Sequence, residues 1–306
     1  MNSATTIPAP AETRVAVLRA KDELRAQLGV ARREGRSVGL VPTMGYLHEG
    51  HLSLLRAARA ECDVVLMSLF VNPAQFGSGE DLDSYPRDEE HDAELAAEAG
   101  ADLIYAPPVE EVYPEGFSTA VEVGGLTEVL CGDPTRRGPE HFRGVTTVVA
   151  KLLNTVQPDV AWFGQKDAQQ VAAIRRMVRD LDFPVRIEAL PTVREADGLA
   201  MSSRNAYLSD EERERATALS RALRAAEEES RGGSLAAGLD AGRRELAAAG
   251  IEPEYFEARD AESLQPVADL NGRPVLIAVA ARVGRARLID NVTIAGDGGR
   301  EAGTDD

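Results

Sequence analysis

With 306 residues, 43% of them hydrophobic, the chain is long enough for two domains that each bury a core. Its formal net charge of −17 argues against a nucleic-acid partner, because binding a polyanion is dominated by phosphate neutralisation over a broad basic surface. No window approaches the apolar run of a membrane helix, and the first residues, with Pro8, Pro10 and Glu12, lack the basic start of a signal peptide, so the expected address is the cytoplasm. Cys62 and Cys131 are too few for a disulfide framework or a thiolate metal site and read as reduced structural thiols. A small anion needs only a local positive cluster. Lys21, Lys151 and Lys166 are the only lysines, so each invites a question.

Residues 1–12 read as a loose lead-in and 15–33 as a helix with Val15, Leu18, Leu24 and Leu28 on its apolar face. An apolar run at 37–41 meets Val41-Pro-Thr-Met-Gly-Tyr-Leu-His-Glu-Gly-His51, after which Leu52, Leu54, Leu55 and Ala58 recur at helical spacing. Gly45 and Gly50 therefore lie on a strand-to-helix connection. His48 and His51, three residues apart, share one face of the first helical turn, where unpaired N–H groups and the helix dipole favour an anion. Two of the chain's four histidines thus sit at a strand's carboxyl end, where open α/β sheets bind ligands, and we read the stretch as a triphosphate grip.

Residues 63–70 form a nearly continuous apolar run, the mark of a strand buried on both faces of a parallel sheet. The run ends in Phe70-Val-Asn-Pro-Ala-Gln-Phe76, a loop that offers the amides of Asn72 and Gln75 to a polar ligand. A helix at 88–100 and a strand at 102–106 follow, then the glycine- and proline-rich stretch 107–143, expected to be a flexible flap over the pocket. An amphipathic helix at 145–156 and a strand at 159–163 lead into Gly164-Gln-Lys-Asp167, a second glycine corner before a helix at 168–181. Lys166 can place a flexible point charge on phosphate there, although no Gly-Lys pair makes a Walker A loop.

After a strand at 184–190 the second domain begins with Val193-Arg-Glu-Ala-Asp-Gly-Leu-Ala-Met-Ser-Ser-Arg-Asn205, in which Ser202, Ser203 and Arg204 suit phosphate oxygens. Helices are expected at 210–231, with a Ser209/Glu212 capping box, and at 235–249, then strands at 255–259, 275–281 and 287–294. The expected fold class is α/β: a parallel-sheet domain over 1–191, a smaller α+β domain over 192–296 and a disordered tail at 297–306.

Thr43-Met-Gly-Tyr-Leu-His-Glu-Gly-His51 resembles the histidine signature of the adenylyl-transferring Rossmann-like superfamily, in the form carried by pantoate–β-alanine ligases. Val71-Asn-Pro with Gln75-Phe76, Phe163 to Asp167 followed by Gln169-Gln170, and Met201-Ser-Ser-Arg-Asn205 are similar to further segments of that family. So is Arg136-Arg-Gly-Pro-Glu-His-Phe-Arg-Gly144, except that the nearest arginine precedes His141 by four residues rather than three. The resemblance spans about 13–294 and implies ATP-dependent condensation of (R)-pantoate with β-alanine through a pantoyl adenylate. It implies ATP and Mg2+, a homodimer, and small-molecule substrates with no nucleic acid and no membrane.

For the site, the resemblance implies catalysis by His48, His51 and Lys166. Nucleotide contacts would come from Met44, Gly45, Tyr46, Leu47, His48, Glu49, Gly50 and His51, from Gly164, Gln165, Lys166 and Asp167, and from Val193, Met201, Ser202, Ser203 and Arg204. Gln75 and Gln170 would hold pantoate, and Asp92 would lie at a magnesium site. His51 could donate a proton or only a hydrogen bond, and the sequence does not separate these roles. The rivals are another nucleotidyltransferase, an aminoacyl-tRNA synthetase, against which the acidity counts, and a non-catalytic nucleotide sensor.

Overall fold

The computed structural model describes residues 15–296 except 78, 79, 81 and 271, so the lead-in and the tail expected at 297–306 lie outside the described residues. In place of the single expected helix the chain first makes a strand, β1 (Ala16–Leu18), and only then α1 (Lys21–Arg33). Val15 and Leu18 match helical spacing, yet Leu18 belongs to a three-residue edge strand; only Leu24, Leu28 and Ala31 form the buried stripe of the helix.

From there strands and helices alternate: β2 (Val38–Thr43), α2 (Glu49–Glu61), β3 (Val64–Leu69), α3 (Glu89–Glu98), β4 (Leu103–Tyr105), α4 (Val109–Val112), α5 (Pro139–Val156), β5 (Val160–Gly164), α6 (Ala168–Asp180) and β6 (Arg186–Leu190). The six strands form one parallel sheet in the order β1-β4-β3-β2-β5-β6. The chain winds outward from β2 through β3 to β4, then returns to place β5 on the other side of β2. The winding therefore reverses between β2 and β5, and a crevice opens beyond their carboxyl ends. Those ends are the two glycine corners. β2 and β3 are buried on both faces, Leu40 and Leu66 in one core cluster, Val41, Val65 and Met67 in the other.

Within the stretch expected to be a flexible flap, residues 114–120 are exposed, whereas 123–132 form a packed wall. Val123, Leu126, Leu130 and Cys131 are buried, and Gln169 of α6 donates to the carbonyls of Leu126 (2.8 Å) and Val129 (2.6 Å) while accepting from Cys131 N (3.1 Å). Gly132 packs so tightly that a Cβ there would lie 1.9 Å from the Thr127 carbonyl oxygen. A high glycine and proline content marks irregular backbone, which here follows the contours of a core. α5 also starts six residues earlier than expected, because Gly138 turns at φ 88° and Pro139 fits the first helical position.

Beyond residue 192 the expected single charged helix is interrupted at Thr217 into α7 (Asp210–Ala216) and α8 (Ala218–Gly232), followed by α9 (Leu235–Ala248). β7 (Pro253–Asp260), β8 (Val275–Val283) and β9 (Ala286–Ile294) form an antiparallel sheet in that order. β8 is apolar on both faces. Val275, Ile277, Val279 and Ala281 pack with Leu219 and Leu223 of α8, while Leu276, Ala278 and Ala280 join the core that holds Leu130 and Ile174. Fully burying a Val, Leu or Ile side chain is worth about 1.5–3 kcal/mol and an alanine methyl roughly 0.8, and through Leu276, Ala278 and Ala280 the small sheet shares its core with the large one. Among the described residues no helix is long and apolar enough to cross a membrane.

Candidate active site

The first corner is built around Gly45. Thr43 Oγ1 donates to the Ser68 carbonyl (2.8 Å) and accepts from Gly45 N (3.3 Å), and Gly45 takes φ 88° where an added Cβ would meet Leu69 at 2.6 Å and Asp92 Oδ2 at 2.8 Å. Asp92 of α3 comes from below, 1% exposed, and accepts the main-chain N–H groups of Tyr46 (2.8 Å) and Leu47 (2.7 Å). Burial raises its pKa, and the two main-chain donors oppose the rise. Asp92, expected at a magnesium site, has both carboxylate oxygens on main-chain N–H groups: it braces the corner and does not line the cleft. Among the described residues no group of three or more His, Cys, Asp or Glu could hold a metal ion.

His48 is the N-cap of α2, and a capping box forms from two imidazoles. His48 Nδ1 accepts from Gly50 N at 3.1 Å, His51 Nδ1 accepts from His48 N at 3.3 Å, and the ring centroids are 4.1 Å apart. Since each Nδ1 accepts, each ring carries its hydrogen on Nε2. Burial first, and then the charge of Lys166, hold His48 down to about 4; burial, His48 and Lys166 hold His51 well below its ordinary value. Both rings are therefore neutral donors near pH 7. Gly50 makes room for this, since a Cβ there would lie 2.8 Å from His48 Cε1.

At the second corner β5 ends at Gly164, and Gln165–Asp167 form one tight turn into α6. Asn291 of β9 donates from Nδ2 to the carbonyls of Gln165 and Lys166, both at 2.9 Å, so the small sheet fixes this corner. The Lys166 ammonium lies 3.6 Å from Asp167. Residues 193–205 are held next to it by Arg194, which clasps buried Asp290 with two bonds (2.6 and 3.0 Å), and by Met201 N donating to the Val193 carbonyl (3.0 Å). Ser202 caps the turn that follows, accepting from Arg204 N at 3.3 Å. The Arg204 guanidinium stands 5.9 Å from the centre of the Tyr85 ring.

These three segments line one cleft of about 230 Å³. Met44, His48, Gly50 and His51 face Gly164, Lys166, Asp167 and Gln170, with Val193, Met201, Ser202, Ser203 and Arg204 along a third side and Gln75 at one end. Gly45, Tyr46, Leu47, Glu49 and Gln165 lie outside it. Gly45 to Leu47 shape the turn; Glu49 pairs with Arg56 at the surface; Gln165 faces a separate groove with Arg175 and Arg194.

The end of the cleft beside Met44 joins two amides to an apolar wall. Gln75 Nε2 lies 3.1 Å from Met44 Sδ, and its Oε1 accepts from Asn72 Nδ2 at 3.1 Å. Asn72, 1% exposed but on the cleft lining, also donates to the Gly144 carbonyl (3.1 Å) and accepts from Tyr113 Oη (2.8 Å), and so fixes the aim of Gln75. The wall consists of Val145, Val148, Val149 and Leu152 of α5 with Phe163. α5 approaches that closely because Gly144 has no side chain: a Cβ would lie 2.1 Å from the Ala74 carbonyl oxygen. Such an end suits a small, branched, hydroxylated acid.

Arg137 reaches the cleft despite its altered spacing. It makes two 2.7 Å bonds to Glu80 and donates to His141 Nε2 at 3.1 Å, and His141 Nδ1 donates to the Gln75 carbonyl at 2.8 Å. Burial, reinforced by Arg137, holds His141 down to about 4. Sequence reasoning missed the anchoring by Asn291 and the α5 wall. An amphipathic helix is legible in sequence; which of its residues meet a ligand depends on packing.

The pantoate-beta-alanine ligase family model matches residues 16–293. Pantothenate synthetase from Moorella thermoacetica is 56% identical over 274 residues, covering 89% of this chain and 95% of that protein. The Heliobacterium modesticaldum pantothenate synthetase is 55% identical over 269 residues, covering 86% and 93%. Among solved structures, pantothenate synthetase from Thermus thermophilus aligns with a TM-score of 0.85 at 50% identity, over 91% of this chain and 99% of that one. Pantoate-beta-alanine ligase from Francisella tularensis, complexed with beta-gamma ATP and beta-alanine, aligns with a TM-score of 0.76 at 30% identity, over 91% and 97%. By this match in sequence and in fold, the chain belongs to the pantoate–β-alanine ligase family.

Proposed function

We propose that the chain condenses (R)-pantoate with β-alanine at the expense of ATP, giving pantothenate, AMP and pyrophosphate through a pantoyl adenylate. One observation carries this reading. A donor set for phosphate, made of the two neutral imidazoles, Lys166 and the 202–204 segment, shares a single cleft with an amide-and-apolar end shaped for a branched hydroxy acid.

In the first step a pantoate carboxylate oxygen attacks the α-phosphorus, the bond from that phosphorus to the bridging oxygen breaks, and the electron pair leaves with pyrophosphate. Attack brings negative groups together, so catalysis rests on positioning and on donors aimed at the developing charge. The Nε2–H groups of His48 and His51 donate without releasing a proton, and Lys166 and Arg204 supply positive charge. Gln75 and Gln170 hold pantoate without adding negative charge that would repel its carboxylate. In the second step the neutral amine of β-alanine attacks the acyl carbon, the bond to AMP breaks, and the new amide loses one proton.

Magnesium would enter with the nucleotide and would supply positive charge to its phosphate oxygens. Residues 1–191 act as the nucleotide- and pantoate-binding domain, and 192–296 as the domain that closes over the phosphates. A cytoplasmic address follows from the biosynthetic role. A homodimer follows from the family resemblance, and light scattering measures it. The function is tested by assaying AMP and pyrophosphate with each substrate omitted in turn. Pyrophosphate requires ATP and pantoate, and AMP release requires β-alanine as well; AMP formed without pantoate would point to another acceptor.

A further inference from the structure

The tip of the β8–β9 hairpin carries positive charge that the reaction described above does not use. Arg282 and Arg287 are direct cross-strand partners, and Arg285 follows Gly284 in the turn between Val283 and Ala286. Like charges directly opposite one another destabilise a strand pair. One carboxylate serves both: Glu254 lies 2.8 Å from Arg287 Nε and 3.6 Å from Arg282 Nε. Arg285 stands over the Tyr207 ring, 5.1 Å from its centre, and makes no ion pair among the described residues. Glu212 packs against Gly284, but its carboxylate caps α7, accepting from Ser209 N at 2.9 Å. Two guanidiniums thus share one carboxylate and a third has none among the described residues, in a chain whose net charge is −17.

The tip also lines a chamber of about 550 Å³ that continues from the reaction cleft, with Arg137, Lys166, Asp167, Ser202 and Arg204 common to both. Within it Glu80 pairs with Arg137 and Asp167 with Lys166, and Asp290 pairs with Arg194; at the tip Arg285 has no ion pair among the described residues and Arg282 only its 3.6 Å contact with Glu254. The guanidinium forks match phosphate oxygens, and several of them together favour a small multiply charged anion over a monocarboxylate.

We propose that Arg282 and Arg285, backed by Arg287, form an exit subsite for inorganic pyrophosphate, receiving the leaving group from Lys166 and Arg204. The proposal rests on the adenylation reading for its purpose, though not for its measurement. The test is calorimetric titration of inorganic pyrophosphate into the full chain at low ionic strength, where exposed charges are least screened. Arg282→Ala/Arg285→Ala weakens binding at least fivefold, the double lysine variant recovers most of it, and pantoate affinity stays within twofold in both. Arg285→Glu, a single change at an exposed position, gives the larger loss. Pyrophosphate affinity within twofold of the parent in both the double alanine and the glutamate variant overturns the subsite. Arginine-dependent pyrophosphate binding by a chain that forms no AMP from ATP, pantoate and β-alanine would leave the subsite standing and sink the ligase reading.

Discussion

His51 receives the main-chain N–H of His48 on its Nδ1 at 3.3 Å, and His48 in turn receives that of Gly50 at 3.1 Å, so both rings point Nε2–H away from the helix they cap. The backbone thereby selects the tautomer, and burial removes the charge: His48 is held at about 4 and His51 well below its usual value. Adenylate formation is accordingly expected to show no ionisation near 6.5, staying flat from about pH 6 to 8 and falling only as the medium nears the His48 value. Single-turnover pyrophosphate release against pH checks this. A step near 6.5 that disappears in His51→Gln would restore the proton-donor role of His51.

The same depression of His48, His51 and His141 makes stability depend on pH with a definite sign. Below about 6.5 the unfolded chain binds protons that the folded chain refuses, so stability falls as pH drops from that value towards 4. Between pH 7 and 5 a buried imidazole held at about 4 costs roughly 2 kcal/mol. Urea midpoints at the two pH values should therefore lie closer together in His141→Gln than in the parent. An unchanged separation would mean that folding does not depress the proton affinity of His141.

Gly50→Ala should separate fold from function. Its Cβ would lie 2.8 Å from His48 Cε1 and 2.9 Å from Nδ1, so the imidazole must move. Helical alanine is favoured over glycine by about 1 kcal/mol, which offsets part of the strain. We expect a thermal midpoint within a few degrees of the parent and adenylation slowed at least tenfold; parental kinetics would show that the ring position is not critical.

Asp92→Ala tests bracing against metal ligation. Removing the carboxylate takes the acceptor from the part-buried N–H groups of Tyr46 and Leu47, at a cost of roughly 1–3 kcal/mol in all. The expected result is a marked loss of thermal stability with the half-activating magnesium concentration unchanged. A large rise in that concentration in a chain of normal stability would return Asp92 to the metal.

The sheet, and the meeting of its two glycine corners, were legible because buried parallel strands write long apolar runs and because glycines punctuate their ends. β1 was not: three residues, Ala16 to Leu18, are too few for a period to declare itself, and their pairing with β4 spans most of the first hundred residues. At the site, the signature located the corner but not the direction of its side chains. Tyr46 and Leu47 turn out of the cleft because Asp92, some 45 positions away in sequence, fixes their backbone. Asn291 and Arg137 act through contacts that no local pattern encodes: one holds a corner of a different sheet, the other reaches His141 across a helical turn.

The central claim is that both glycine corners serve one phosphate-transfer event, and rapid-quench measurement of pyrophosphate with ATP and pantoate but no β-alanine tests it most directly. The account predicts a burst of about one pyrophosphate per site in the parent, slowed by on the order of 10²–10³ in Lys166→Ala and in His48→Ala, with thermal midpoints near the parent. A near-normal burst in Lys166→Ala would contradict it.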